Sequence, residues 1–264
     1  MLTLFHNDMS VCAQKVRMVL EQKDLPWKSE HLNLRKGEQF TSIFLKISPK
    51  ALVPVLVDGK QVINESNAII QYIEEQYPSN PLMPPDPFER ALVRKWLIQI
   101  DANLHVDVAT ISVAIAFREQ MIAANETPEK LQAFYAKIPD PRRAALIKGM
   151  IEEGLYFAGI RPAVLAYDAL LKEMNRTLEN NEWLVGQTIT LADFAYAPYI
   201  TRLAHLNLTK WWNGLPHLAR WLDKITETKG YQQGLLEWNN SDYLSSMSEK
   251  GQDAWQHIAG IIEK

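Results

Sequence analysis

This chain of 264 residues has very little cysteine: Cys12 is the only one. A single cysteine excludes an internal disulfide bond and a cysteine-rich metal site, and it is typical of proteins in a reducing compartment. No apolar run is long enough to suggest a membrane-spanning helix, which needs about 18 residues. The first residues, MLTLFHND, lack the basic and apolar segments of a signal peptide. We therefore expect a cytoplasmic protein.

The chain also lacks an excess of either charge. It has 28 Lys and Arg against 31 Asp and Glu, a formal net charge of −3. This balance gives no electrostatic reason to expect binding to nucleic acid or to an anionic membrane. The hydrophobic fraction of 47% and the charged fraction of 22% are ordinary for a globular protein. The length allows one large domain or two modest ones.

Proline is concentrated in one place, the stretch PSNPLMPPDPF at residues 78–88. Proline fixes φ and cannot donate a backbone hydrogen bond, so this stretch predicts an extended connector. We therefore divide the chain into a first domain over residues 1–79, a proline-rich linker over 80–88 and a second domain over 89–264.

Secondary-structure signals differ on the two sides of the linker. The first domain predicts the order β-α-β-α-β-β-α, with a hairpin turn at Asp58-Gly59-Lys60. This order implies a parallel strand pair followed by antiparallel strands. The second domain has helical periodicity almost throughout. Two exceptions are residues 118–143, expected to be a loosely structured excursion, and the tail from Ser241, expected to be polar until a short amphipathic segment at 254–262.

A helix start is visible at Thr190. Its hydroxyl can cap the helix, while Asp193, three residues on, can reach back to the cap amide. A capping box needs only hydrogen-bond closure, so we interpret Asp193 as structural.

The segment with Ser10 and Cys12 lies between the first strand and the first helix. Side chains there stand at the carboxyl edge of the sheet, where open α/β folds bind ligands. The helix N-terminus stabilises a thiolate, either that of Cys12 or that of a bound thiol hydrogen-bonded to Ser10. A helix cap and a buried cysteine are the simpler alternatives for these two residues.

Two further short motifs could bind parts of a peptide. Pro54 inside an apolar run indicates an edge strand or a cis peptide, which would leave the backbone of Val53 free to pair with an extended ligand. Glu65 and Ser66 begin a helix, where free amides suit a carboxylate and the Glu65 side chain suits an ammonium group. Each motif alone is also explained by ordinary structure, but together with Ser10 they fit a short thiol peptide.

In this order, the Ser-x-Cys start, the Val-Pro dipeptide, the Glu-Ser pair, the proline-rich connector and the capping box resemble the cytosolic glutathione transferases. Within that family the Ser-x-Cys start is most similar to the zeta class and to bacterial tetrachlorohydroquinone dehalogenases, and the longer second domain resembles β-etherase-type members. The resemblance implies a thioredoxin-like domain followed by an all-helical domain, usually as a homodimer. It also implies glutathione as co-substrate and no metal.

The resemblance implies specific roles for the residues. Ser10 would hydrogen-bond the glutathione thiolate, Val53 before a cis Pro54 would pair with the cysteinyl backbone, and Glu65 with Ser66 would bind the γ-glutamyl end. Many relatives have Gln or Lys just before the Val-Pro pair, but this chain has Leu52. We expect one of three other residues to contact the glycine carboxylate instead: Lys36, Gln39 or Lys50.

The acceptor, a hydrophobic electrophilic small molecule, would bind between the two domains. The resemblance assigns its pocket to Met9, Val11, the helix face with His105, and Trp211. His105 lies four residues after Asp101, so an ordinary helix would place the two side chains together, as an acid–base pair or as a plain contact.

Three functions remain open at this point. The first is an enzyme that activates glutathione for conjugation, reductive dehalogenation or ether cleavage, with Cys12 resolving a mixed disulfide where one forms. The second is a non-catalytic binding or regulatory protein on the same scaffold. The third is a glutathione-dependent isomerase or thiol oxidoreductase that uses Cys12.

Overall fold

A small sheet organises the first part of the chain. Its strands are β1 (Leu2–His6), β2 (Trp27–His31), β3 (Val55–Asp58) and β4 (Gln61–Asn64). The computed structural model, which describes residues 1–263, arranges them in the order β2-β1-β3-β4. β1 and β2 are parallel, and the other neighbouring pairs are antiparallel. The expected mixed sheet is confirmed.

Helices complete this thioredoxin-like domain in the predicted order. They are α1 (Val11–Gln22), α2 (Ser42–Leu45) and α3 (Ser66–Gln76), with a short 3-10 turn at Glu38–Phe40. α1 connects the parallel strands, as a crossover between them requires. The hairpin between β3 and β4 turns at Gly59, whose φ of +59° suits glycine.

The second part begins with one continuous helix over Pro87–Asn125. It consists of three α-helical segments joined by π-helical turns at Ile100–Leu104 and Val113–Phe117. The segments are α4 (Pro87–Gln99), α5 (His105–Ser112) and α6 (Arg118–Asn125). By length and composition this helix could cross a membrane, but half of its most apolar window is buried inside the protein, as in a core helix.

The expectation of a loose excursion at residues 118–143 is wrong, because this region is helical. After α6 come α7 (Pro128–Ala136) and α8 (Pro141–Glu153). Thr127 and Asp140 cap these two helices with their side chains, and a proline follows each cap directly. Proline favours the first position of a helix, so the prolines that suggested irregular structure mark helix starts.

Five more helices complete the second part. They are α9 (Ile160–Thr177), α10 (Leu191–His205), α11 (Pro216–Thr226), α12 (Lys229–Gly234) and α13 (Ser241–Ile262). The amphipathic segment predicted at 254–262 is too short, because one helix, α13, runs from Ser241 to Ile262 without a break. Met247 and Ile258 of α13 are fully buried, so the tail packs onto the body of the protein.

Glycines allow the two parts of the chain to approach closely. A Cβ on Gly230 or Gly234 of α12 would lie 2.5 Å from backbone atoms of Met18 in α1. Real Cβ atoms do not come so close, so only glycine permits this packing of α12 on α1. Arg17 of α1 reinforces the contact by donating to the carbonyl of Gly234 over 2.8 Å.

The capping box at the start of α10 is present, and its carboxylate does more than cap. The Asp193 oxygens accept from the backbone amides of Thr190 and Leu184, each over 2.9 Å. They also accept from the Thr190 hydroxyl and from the indole N–H of Trp221. Asp193 is fully buried, and burial raises its pKa against the effect of these hydrogen bonds. The structural interpretation of Asp193 is confirmed.

We predict that Asp193→Ala lowers the free energy of unfolding by about 3–5 kcal/mol, because buried donors lose their acceptor. Urea denaturation followed by circular dichroism measures the loss. Asp223→Ala, at an exposed position of α11, is the matched control and should stay within about 0.5 kcal/mol of the wild type. Equal stability of Asp193→Ala and this control would contradict the role assigned to Asp193.

Candidate functional site

Two buried arginines hold the loop between β1 and α1. Arg17 donates to the carbonyls of Asn7 and Asp8, each over 3.0 Å. Arg202 of α10 donates to the next carbonyl, that of Met9. Both arginines are at most 3% exposed. Buried carbonyls need such donors, so the two guanidinium groups fix the path of the loop that leads to α1.

Ser10 follows this loop and caps α1. Its backbone is extended, and its Oγ accepts from the amide of Ala13 over 3.3 Å. Because the hydroxyl oxygen accepts, its proton remains available for a ligand. The N-terminus of α1 adds a partial positive charge at the same place. Ser10 can therefore donate a hydrogen bond to an anionic atom, such as a thiolate.

Val53 offers an unpaired stretch of backbone. Its peptide bond with Pro54 is cis, and β3 starts only at Val55. Within residues 1–263, neither the N–H nor the C=O of Val53 has a hydrogen-bond partner. These groups suit an extended peptide that pairs as an added strand.

The start of α3 contains a strained residue and a buried cation. Glu65 has a φ of +69° and a ψ of 112°, a conformation that costs an L residue about 1–3 kcal/mol. Its carboxylate pairs with Lys50 at the surface over 2.8 Å. Beneath it, the fully buried Lys15 donates to Ser66 Oγ over 3.2 Å and to Asn67 Oδ1 over 2.6 Å. Ser66 Oγ thus accepts from Lys15, and its own proton can be donated to a neighbouring anionic group.

Cys12, in the first turn of α1, contacts two residues of the helical domain. Its Sγ is 3.4 Å from His105 Nδ1 and 3.6 Å from the Tyr199 hydroxyl. Burial raises the pKa of the Cys12 thiol, but the charge and hydrogen bond of His105, with smaller contributions from Lys15 and Ser66, lower it to about 6. The Cys12 charge in turn raises the pKa of His105. The pair therefore favours the Cys12 thiolate at neutral pH, and this thiolate in turn favours the protonated form of His105.

Although His105 and Asp101 lie four positions apart, the structure of residues 1–263 contains no hydrogen bond or ion pair between them. Asp101 instead accepts from the side-chain amide of Asn67 over 2.9 Å. The π-helical turn at Ile100–Leu104 separates the two side chains, because it changes which face each residue occupies. His105 consequently turns toward Cys12.

A cavity of about 320 Å³ lies between the sheet domain and the helical domain. Four of the predicted site residues are not among its lining: Cys12, Pro54, Glu65 and Ser66. Ser10, Val53 and His105 all line it. Helices α7 and α8 form its outer wall, and Phe40 and Phe134 meet there with ring centres 5.4 Å apart. Apolar residues of the helical domain dominate the lining: Val108, Phe117, Met121, Phe134, Ile138 and Ile147. Such a lining suits an apolar ligand.

The remaining predicted site residues fall into two groups. Met9, Val11 and Gln39 line the cavity. Lys36 and Lys50 are exposed outside its lining. Trp211 also lies outside it, packed in the core with its ring centre 6.1 Å from that of Tyr167.

Some site residues were not predicted from the sequence. Lys15 and Asn67 form the buried polar link under Ser66, and Tyr199 contacts Cys12. In the sequence, this link was indicated only by Lys15, a charged residue within the apolar helical stretch of α1. The α7–α8 wall was missed because its region was interpreted as irregular. Across residues 1–263, no cluster of three or more His, Cys, Asp or Glu side chains is arranged to hold a metal ion.

We predict that Cys12 reacts with iodoacetamide at half its maximal rate near pH 6. The thiolate reacts, so a lowered pKa keeps the rate high until the pH falls through that value. His105→Ala removes the main lowering influence and should move the midpoint above that of an ordinary thiol, about 8.5. His257→Ala is the control and should leave the midpoint unchanged. A midpoint that is the same in all three proteins would contradict the Cys12–His105 pair.

Comparison with known proteins gives the family. Residues 4–81 match the N-terminal domain of glutathione S-transferases, and residues 163–229 match the C-terminal domain. The chain is 46% identical over 239 residues to Glutathione S-transferase Z2 of Arabidopsis thaliana, covering 89% of this chain and 91% of that protein. A zeta-class transferase of Euphorbia esula is 46% identical over 91 residues, which are 34% of this chain and 40% of that protein.

A bacterial relative matches in both sequence and fold. Protein LigF of Sphingobium sp. is 28% identical over 250 residues, covering 88% of this chain and 91% of that protein. The crystal structure of beta-etherase LigF from Sphingobium sp. strain SYK-6 superposes with a TM-score of 0.80 at 23% identity, covering 89% of this chain and 99% of LigF. The chain therefore belongs to the glutathione S-transferase family of enzymes, which use glutathione to conjugate or cleave electrophiles.

Proposed function

We propose that Ser10 activates glutathione for attack on a hydrophobic electrophile held in the cavity between the domains. The observation that supports this most is that one cavity is lined by the Ser10 hydroxyl, the unpaired backbone of Val53 and an apolar wall. These are the groups needed to bind a peptide thiol next to an apolar acceptor. Because the family's members are named as transferases, we do not retain the non-catalytic alternative.

In this proposal glutathione lies along the wall formed by the sheet domain. Its γ-glutamyl end binds Glu65 through the ammonium group and Ser66 through the carboxylate. Its cysteinyl backbone pairs with Val53 beside Pro54, which directs the thiol toward Ser10. The buried Lys15 under Ser66 supports this placement, because its positive charge favours a carboxylate above it.

The chemical step is nucleophilic attack by the glutathione sulfur. Ser10 donates a hydrogen bond to the thiolate, which lowers the thiol pKa and raises the fraction of nucleophile near neutral pH. The sulfur then bonds to an electrophilic carbon of the acceptor while the leaving group departs with its electron pair. Met9, Val11 and the apolar helices bring the acceptor carbon close to the sulfur.

We predict that Ser10→Ala raises the pKa of the bound glutathione thiol toward that of free glutathione and lowers kcat/KM about 10- to 100-fold. Ultraviolet absorbance of the thiolate during pH titration gives the pKa. Ser10→Thr keeps the hydroxyl and serves as the matched control, while thermal melting tests for loss of the helix cap. An unchanged thiol pKa in a folded Ser10→Ala variant would refute the role of Ser10.

A second activity is favoured by the short distance between Cys12 and His105. Where the first step leaves glutathione joined to the acceptor carbon, the Cys12 thiolate can attack the glutathione sulfur. A disulfide then forms, the carbon–sulfur bond breaks, and the carbon takes the electron pair and a proton. The acceptor is reduced, and a second glutathione releases Cys12 by disulfide exchange with formation of glutathione disulfide.

We predict that Cys12→Ser abolishes reductive removal of halogen while conjugation of aryl halides stays within about twofold of the wild type, because only the first reaction needs a second thiolate. A panel of aryl halides, halogenated hydroquinones, maleyl compounds and β-aryl ethers tests this, with product analysis by mass spectrometry. The β-aryl ethers are included because LigF is a beta-etherase. Undiminished dehalogenation by Cys12→Ser would eliminate the second activity.

We also propose that the protein is a cytoplasmic homodimer with a role in detoxification. Support for the dimer comes from apolar side chains left exposed on α4, with Phe88 at 70% and Ile98 at 67%. The lone free thiol of Cys12 supports a reducing compartment. Light scattering during gel filtration gives the mass of the assembly, and a monomer at micromolar concentration would contradict the dimer.

A further inference from the structure

Leu52, the residue before Val53, is apolar, so the glycine carboxylate of bound glutathione needs a partner elsewhere. Val55 pairs with Asn64 across the β3–β4 hairpin, which brings the start of α3 beside the Val53–Pro54 segment. In the proposed pose the γ-glutamyl end binds there, the middle residue pairs with Val53 and the glycine end extends toward Leu52, the position at which many relatives have Gln or Lys. Its terminal carboxylate lies about one residue length, 3.3–3.6 Å, further along. Leu52 is apolar and cannot bind it.

The other basic residues near this end are exposed or already engaged. Lys36 lies outside the cavity lining, and Lys50 lies outside it as well, paired with Glu65. Arg35 lines the cavity, and its terminal nitrogens have no partner among residues 1–263. Its Nε, however, donates to Gln120 of α6 over 2.8 Å, and its guanidinium lies 3.8 Å from the ring centre of Tyr243 in α13, so both contacts hold it against the helical domain. Arg202 donates to the β1–α1 loop.

Arg143 is different, and it comes from the helical domain. It lines the same cavity as Leu52 and Val53, on the face of α8 that also presents Ile147 and Ile151. Its side chain is half-buried and makes no hydrogen bond or ion pair with any residue in the range 1–263. A partly desolvated guanidinium without a hydrogen-bonded partner is costly: burial lowers the pKa of Arg143, and the charge of Asp140 offsets this only in part. A carboxylate in the cavity would remove that cost.

Two further observations agree with a ligand at this place. The charge of Arg143 lowers the pKa of Lys50, though less than Glu65 raises it, so Arg143 lies within electrostatic range of the loop before Leu52. Gln39 is 7% exposed and lines the cavity, and its Oε1 has no partner. Buried polar atoms are normally hydrogen-bonded, so an unpartnered acceptor facing a cavity indicates a missing donor.

We propose that Arg143 binds the glycine carboxylate of glutathione across the cavity, while Gln39 Oε1 accepts from the glycine N–H. The inference rests on the proposed binding of glutathione at Val53 and adds a binding residue from the helical domain. Arg143 replaces the polar residue that Leu52 lacks. A guanidinium can grip a carboxylate through two parallel hydrogen bonds, which lysine cannot do. Bound glutathione therefore connects α8 to the sheet domain.

Calorimetric titration with two peptides tests the proposal. One peptide is glutathione, and the other is its glycinamide, which lacks only the terminal charge. We expect the wild type to bind glutathione about 10- to 100-fold more tightly than the amide, as a charged hydrogen-bonded pair implies. Arg143→Ala should lose that preference and bind the amide as the wild type does. Arg143→Lys should keep part of the preference, because it keeps the charge.

The neighbouring Arg142 gives a matched control, since it is exposed and outside the cavity lining. Arg142→Ala should bind both peptides like the wild type. Equal weakening of both peptides in Arg143→Ala would mean a structural role and would overturn the proposal. A change in the KM of the acceptor alone would also overturn it and would assign Arg143 to the acceptor. Failure of the wild type to bind either peptide would refute the proposed function itself, which separates the two failures.

Discussion

The candidate site depends on two buried arginines that donate hydrogen bonds to three successive backbone carbonyls. Arg17 and Arg202 come from helices of different domains, yet both donate to the loop before Ser10. A loop of free carbonyls would be mobile and would need water. With these donors, the loop delivers Ser10 to the start of α1 in one orientation, and the cavity gains a fixed edge. The close packing of the α12 glycines against α1 also helps to fix the loop, because it keeps Arg17 between the two domains.

A second consequence of burial is that the Cys12 thiolate and the proposed carboxylate site at Ser66 share one cation, Lys15. Lys15 donates to Ser66, where the γ-glutamyl carboxylate is proposed to bind, and its charge also stabilises the Cys12 thiolate. Removal of water from Lys15 strengthens both effects, because charges interact more strongly at low dielectric. Burial also lowers the pKa of Lys15, while the charges of Cys12 and Asp101 oppose that change. The charge state of Cys12 and the proposed binding of a carboxylate at Ser66 are therefore linked through Lys15.

Local patterns predicted much of the fold from the sequence, and long-range contacts account for what was missed. The hairpin at Gly59 and the capping box of Asp193 depend on residues a few positions apart, so their signals are complete within a short stretch. The partner of His105 could not be predicted in this way. Its contact with Cys12 spans 93 positions and depends on a π-helical turn that no short pattern reveals. The helices around Thr127 were missed for a different reason: a proline can end a helix or begin one, and only the preceding cap distinguishes the two.

The π-helical turns in the long helix have a consequence for how the chain tolerates change in length. Each added or deleted residue in a helix turns everything after it by about 100° about the axis. His105 lies directly after one such turn, and Phe117 ends the other. Loss of a single residue from the first turn would rotate His105 away from Cys12, and it would also rotate the buried side chains of Val108 and Ile111 out of the core. The length of this helix is thus fixed by the site and by the core together, so a one-residue deletion here would separate the two groups and destabilise the protein.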